Sequence, residues 1–312
     1  MQVFLDILLP AGKKGFELAF FILLPIMVFM MATMRVLDAY GVLRRLAIVT
    51  APLLLVFGIP GLGVFAIVQI LMVSFAAPVS TFRIIDQDIE ISDRKVAAGF
   101  AAILGMSQAN ATFPLAVFGL NLPVVMLTSV LGGLLAAFLT YRVFGRHLPD
   151  SVERNAEEEI KTEKRQMKLV QIIMVGAEEG FQLVLKALPL LVLAVFLVNL
   201  LKAIGAITFL GQVFGPVLAL VGVSPSAVLS IVTKYIAGGT AMMGATIPLI
   251  QEGSMTAVEL NKIAGFTINT FDPVGLAVLA SAGPRIARIA VVAVKGAIIG
   301  ILFRGILHLI IF

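Results

Sequence analysis

Residues 263–280 read IAGFTINTFDPVGLAVLA. Two apolar runs, Ile263–Ile268 and Leu276–Ala280, flank Asn269-Thr270-Phe271-Asp272-Pro273-Val274-Gly275, so a stretch hydrophobic enough for a bilayer carries an amide, a hydroxyl and a carboxylate at its middle. Pro273 has no backbone N–H to donate and Gly275 loosens the chain, which frees carbonyls beside those side chains. In lipid, such a break is tolerated only where it is buried in protein or lines a cavity. The stretch therefore predicts a broken helix within a membrane protein, able to bind a cation or a polar solute near the midplane. Asp272 is the strongest single candidate for that work.

The rest of the chain agrees. Of 312 residues, 60% are hydrophobic and 13% charged, with a mean hydropathy of +1.08, whereas soluble domains are about 45–50% apolar. This excludes a soluble enzyme with one anchor. A hydrocarbon core roughly 30 Å thick takes about 20 residues per helix, which leaves room for about eight to ten crossings. The net charge of +5 reflects Arg and Lys at segment ends, where the positive-inside rule places them, rather than nucleic-acid binding. The absence of Cys excludes a disulfide framework, thiolate chemistry and Fe–S ligation, and His147 and His308 lie too far apart in sequence to suggest a metal site. There is no Walker A motif, Ser/His/Asp set, zinc spacing or dinucleotide fingerprint, so the chain reads as a non-enzyme without a cofactor.

Segment by segment, Met1–Ala11 reads as a short interfacial helix and Phe16–Met34 as the first span. Leu46–Phe57 is too short to cross and reads as a half-helix or re-entrant segment. Leu62–Ala77 reads as a span, Thr81–Lys95 as an amphipathic surface segment, and Val96–Phe113 and Leu122–Val143 as further spans. The hydrophilic stretch from His147 to Lys168 is rich in Lys and Arg and reads as cytoplasmic.

An offset of about 165 residues brings the chain into register with itself, as a duplication would. Gly12 and Gly15-Phe16 match Gly176 and Gly180-Phe181. Pro52 and Gly58 match Pro216 and Gly222, and Ala98-Gly99-Phe100 matches Ala264-Gly265-Phe266. The expected organisation is two homologous membrane repeats, 1–145 and 166–312, joined by a charged linker at 146–165. The fold class is all-α and polytopic, with broken or re-entrant helices. Lys13-Lys14 become Glu178-Glu179 in the second half, and such charge swaps favour inverted repeats.

Polar groups recur at matching points of the two halves. Thr233-Lys234 lead into Gly238-Gly239, and a lysine among apolar residues usually faces a cavity or a partner. The structural alternatives are a snorkelling side chain for Lys234 and small-residue helix packing for the glycines. In the first half, Ser107, Gln108, Asn110 and Thr112 stand where the second half has Asn269, Thr270 and Asp272, with interhelical hydrogen bonding as the alternative. Gln69 and Ser74 occupy the place of Lys234 and the glycines. Arg35, Arg44, Arg45, Arg142 and Arg304 read as membrane-interface marks or phosphate contacts.

A proline-broken span, the Gly-rich Ala237-Gly238-Gly239-Thr240-Ala241 and the Asn269-Thr270-Phe271-Asp272-Pro273 break together resemble the Gate, or nucleoside recognition, domain family. That family includes the spore-maturation type membrane proteins and lends a domain to concentrative nucleoside transporters and to the membrane part of ferrous-iron transporters. The resemblance covers each half and implies a multi-pass inner-membrane protein with transporter-like gates, without the further transporter domains that flank the Gate in nucleoside carriers.

The leading expectation is a secondary transporter for a small polar solute, of which a nucleoside-like molecule is one kind, driven by H+ or Na+. Asp272 and Lys234 would couple the ion. Gln69, Ser107, Gln108, Asn110, Thr233, Lys234, Gly238, Gly239, Asn269 and Thr270 would bind the solute. Partners would be the lipid bilayer and the solute, with no nucleic acid; a homodimer is permitted without being required. A membrane scaffold and a lipid-headgroup transporter are the alternative functions.

Overall fold

A computed structural model describes residues 2–150 and 168–312, and these contain helices and connecting turns with no strand. Most of the charged linker, from 151 on, lies outside the described residues. Gln2–Glu17 (α1), a π-helical turn at Leu18–Leu23 and Leu24–Ala39 (α2) run on as one rod. Val42–Leu55 (α3) leads to a hairpin of two short helices, Gly61–Met72 (α4) and Pro78–Gln87 (α5). Asp93–Gly105 (α6) and Ala109–Ala116 (α7) are two pieces of a broken helix, and Leu122–Leu139 (α8) continues into a π-helical turn at Thr140–Phe144. The second half contains Leu169–Ala203 (α9), Ala206–Leu220 (α10), the hairpin Ala227–Ala237 (α11) and Gly239–Gln251 (α12), the broken pair Ala257–Thr267 (α13) and Pro273–Ala280 (α14), and Pro284–Ile311 (α15).

The two halves thus place the same kinds of element in the same order. Gly41 after α2 has φ 72° and Gly205 after α9 has φ 71°; Gly58 and Gly222, at φ 76° and 63°, turn the chain after α3 and α10. These are left-handed conformations that side chains with a Cβ rarely adopt.

Several expected segments form differently. Ile7–Ala39, Leu122–Phe144, Leu169–Leu201 and Pro284–Ile311 are the four described segments long and apolar enough to cross a bilayer. Much of the remaining apolar mass folds into pieces of 8 to 15 residues. No separate interfacial helix forms at the N-terminus, since α1 runs on into α2. Gly15 there serves packing: a Cβ on it would lie 2.9 Å from Val192 Cα on α9. Leu62–Ala77 is one hairpin arm with its turn. Thr81–Lys95 divides among the returning arm α5, whose Phe82 and Ile85 are fully buried, the turn after it and the start of α6. Its apolar face packs into the protein core through Phe82 and Ile85. Val96–Phe113 breaks at Met106–Gln108.

Apolar side chains pack in two clusters. Phe82, Phe100 and Ile103 centre one, around α4–α6, α8 and α15; Leu191, Met242 and Ile268 centre the other, around α1, α9 and α11–α13. Helices α8 and α15 cross backbone to backbone. A Cβ on Gly132 would lie 2.8 Å from the Gly300 carbonyl, and one on Gly296 would lie 2.6 Å from that of Ala136. Such close approach through small residues is how helices associate in lipid, where apolar burial gives no preference for protein over tails. The halves are also tied at one rim. Arg285 Nε donates to Asp93 at 2.5 Å and Nη1 to the Asp88 carbonyl at 2.6 Å, while Asp86 accepts the Ile286 N–H at 2.9 Å and caps α15.

Candidate functional site

The second break starts where α13 ends at Thr267. Asp272, in extended conformation, restarts the helix as the N-cap of α14, its Oδ1 accepting the Gly275 N–H at 2.7 Å. A carboxylate suits that position because it meets an otherwise unsatisfied helix N–H and the positive end of the helix dipole. Its other oxygen forms an ion pair with Lys234 of α11. Lys234 is fully buried and Asp272 is 6% exposed. The ammonium therefore does not snorkel to an interface; it is held inside by its partner.

The hairpin turn shapes this pair. Gly238, at φ 91°, is the residue between α11 and α12, and a Cβ there would lie 3.1 Å from Asp272 Oδ1 and 3.4 Å from Val274. The glycines are thus required for close approach of the turn to the broken helix. A Cβ on neighbouring Gly239 would collide with the Gln108 amide, which places Gln108, the N-cap of α7 in the first break, against the tip of the second hairpin. Two residues on, Asn110 Oδ1 accepts the Phe75 N–H at 3.1 Å, in the turn of the first hairpin. The tips of both hairpins therefore meet at the start of α7. The two breaks also touch, since Thr270 donates to the Ile103 carbonyl at 2.6 Å.

The expected site residues divide into two groups. Lys234, Asp272, Gly238, Gly239, Gln108 and Thr270 come together around the breaks. Others are committed to holding the backbone in shape. Ser107 donates to Ser129 of α8 through both its N–H and its hydroxyl, at 2.7 and 2.9 Å. Asn269 donates to the Phe266 carbonyl at 2.6 Å and accepts the Phe271 N–H at 3.0 Å. Gln69 accepts from Thr81 at 2.7 Å within the first hairpin, as Ser230 accepts from Thr246 at 2.8 Å within the second. Thr233 is buried beside Lys234.

Sequence reasoning misplaced Arg304. It is fully buried, and its Nη1 donates to the Gly105 carbonyl at 2.6 Å and to the Ile268 carbonyl at 3.1 Å. These carbonyls lie at the C-terminal ends of α6 and α13, so one guanidinium meets the negative ends of both broken helices. Its Nε and Nη2 have no hydrogen-bond partner among the described residues. The sequence held a clue in Gly300 and Gly305, which flank the arginine in an otherwise apolar run.

A cleft of about 500 Å³ lies beside the first hairpin turn, lined there by Ser74 and Ala77 and, across from them, by Arg35 of α2 and Glu178 and Lys186 of α9. None of the ten expected solute residues lines it. Among the described residues, no three His, Asp or Glu side chains are grouped to hold a metal ion. A cation approaching Asp272 would meet Lys234 already in place.

Comparison with solved structures places this architecture. The chain superposes on the concentrative nucleoside transporter CNTnw in an inward-facing substrate-bound state with a TM-score of 0.69 at 19% identity, covering 93% of this chain and 73% of that one. An outward-facing double variant of CNTnw gives 0.69 at 18% identity with the same coverage, and an intermediate state gives 0.63 at 18%, covering 94% and 76%. The shared feature is the fold. It extends over most of the CNTnw chain, beyond the Gate-type units alone that the sequence motifs suggested, and these neighbours are transporters rather than enzymes. No family model matches the chain, and no curated protein matches its sequence.

Proposed function

We propose that the protein is a secondary transporter that moves a small polar solute across the inner membrane, with two inverted repeats and the 146–165 linker on the cytoplasmic side. One observation carries the reading: the tips of two helical hairpins meet at one broken helix, beside a second break that holds the buried Lys234–Asp272 pair. Short hairpins whose tips meet at a buried polar centre can open to either side in turn, and unpaired backbone at membrane depth belongs where it lines a solute path. CNTnw, whose fold this chain shares, is known in outward-facing, intermediate and inward-facing states.

Support for the repeats comes from the matched order of elements and the paired left-handed glycines. The Gate resemblance rests on the Gly238-Gly239 turn and the Asp272-Pro273 break. Because Lys234 already supplies the counter-charge of Asp272, the pair favours proton coupling: a proton delivered to Asp272 releases Lys234, whereas Na+ would have to displace the ammonium. Uptake into proteoliposomes, measured under an imposed pH gradient and then under an imposed Na+ gradient, tests this. Asp272→Asn should abolish the response to the pH gradient. Unchanged, ion-dependent uptake in a folded Asp272→Asn protein would refute the assignment.

A further inference from the structure

We propose that the cleft between the first hairpin turn and the α2–α9 pair binds a small zwitterionic group. Its volume of about 500 Å³ suits a small molecule. Its walls include Ile7–Ala39 and Leu169–Leu201, two helices long and apolar enough to cross a bilayer, and a charged side chain inside a bilayer is costly and marks a solute or ion path.

The charges are brought there by packing. Gly176 and Gly180 let α9 approach α2 so closely that a Cβ on either would lie 2.6 Å from the carbonyl of Met31 or Met27. Arg35 is thereby set against Glu179, its Nε reaching Oε2 at 2.7 Å and its Nη2 reaching the other oxygen, a bidentate pairing that occupies both groups. Glu178, Gln182 and Lys186 follow at four-residue steps on the same wall. Glu178 and Lys186 are about 12 Å apart along the helix axis, and neither has an ion pair among the described residues. Opposite them, Ser74 Oγ accepts the Ala77 N–H at 3.2 Å, which leaves its O–H to donate.

The four charges of the cleft sum to zero, so it favours neither a lone cation nor a lone anion. One molecule with both signs satisfies the two open groups, its ammonium on Glu178 and its anion on Lys186, with Gln182 between them. The ligand would touch the same turn that Asn110 holds against the first break, which is how its binding reaches the gates. In that respect the proposal rests on the transporter reading. The zwitterion is a free solute or a lipid headgroup.

The test uses purified protein in phosphatidylglycerol nanodiscs, titrated calorimetrically with glycine, γ-aminobutyric acid and uridine. In parallel, phosphatidylethanolamine retention is measured by native mass spectrometry. Glu178→Gln and Lys186→Met should each weaken zwitterion binding at least tenfold, or remove the retained phosphatidylethanolamine if the source is lipid. Lys186→Arg should preserve it. The proposal is overturned if uridine binds while no zwitterion does, if neither zwitterion nor phosphatidylethanolamine binds, or if both cleft variants bind as the wild type does. Binding that depends on Glu178 and Lys186 in a protein with no ion-driven uptake would keep the site and remove the transporter reading. Ion-driven uptake that survives in a protein without zwitterion binding would do the reverse.

Discussion

Removing the buried ion pair in two steps separates its structural role from its functional one. Lys234 is fully buried and the Asp272 side chain is 4% exposed, so deleting either charge leaves the other without compensation in a medium of low dielectric, at a cost of about 3–5 kcal/mol. Asn at 272 still accepts the Gly275 N–H, so the N-cap term changes little, and the loss in Asp272→Asn is that of the stranded ammonium. Lys234→Met strands the carboxylate. In the double variant no charge remains, and stability should return to within about 1–2 kcal/mol of wild type, since an apolar replacement of a buried pair is often neutral. The coupling energy of the cycle is then about 4 kcal/mol or more. Reversible denaturant unfolding in detergent micelles measures it, and uptake assays on the same preparations measure function. The double variant should regain stability without regaining uptake. Additive losses, with a coupling below about 1 kcal/mol, would refute the buried pair; a double variant that transports normally would refute its role in coupling.

Three further outcomes follow from the geometry. Asn110→Ala frees the Phe75 N–H, costs about 1–3 kcal/mol and should raise amide exchange specifically across residues 73–77, while exchange in the 238–239 turn stays as in wild type. Gly132→Ala presses on the Gly300 carbonyl and on the Arg304 side chain; overpacking of this kind costs about 1–3 kcal/mol, visible as a lower midpoint of thermal unfolding, and an unchanged midpoint would contradict the close α8–α15 crossing. At the start of α13, burial alone would raise the Glu259 carboxyl, but hydrogen bonds from Thr256 and Ser224 outweigh it and hold the group below its ordinary value of 4.5. A depressed carboxylate stabilises the fold above its unfolded value and loses that stabilisation as pH falls through the folded one. The unfolding midpoints of wild type and Glu259→Gln should therefore draw together as the pH falls below 4.5, and a gap independent of pH would disprove the linkage.

Sequence by itself determined the membrane class and the interruption at Asp272-Pro273, and it singled out Lys234 and Asp272, the two charges that pair there. These are local properties. Pro273 removes a donor wherever it stands, Gly238 permits a left-handed turn wherever it stands, and a carboxylate before Pro273 is ready to cap the helix that follows. Hydropathy could not divide the apolar mass of the described residues into four long helices and a set of short ones, because a side chain buried in protein and one facing lipid are equally apolar. Nor could it show that Arg304, which reads like an interface arginine, bridges two carbonyls deep inside, or that Arg35 meets a glutamate 144 residues away. Only the tertiary structure decided these points, together with the meeting of both hairpin tips at Gln108 and Asn110. They depend on which backbones pack closely enough to bring distant groups into reach, and that is set by helices crossing at glycines far apart in the chain.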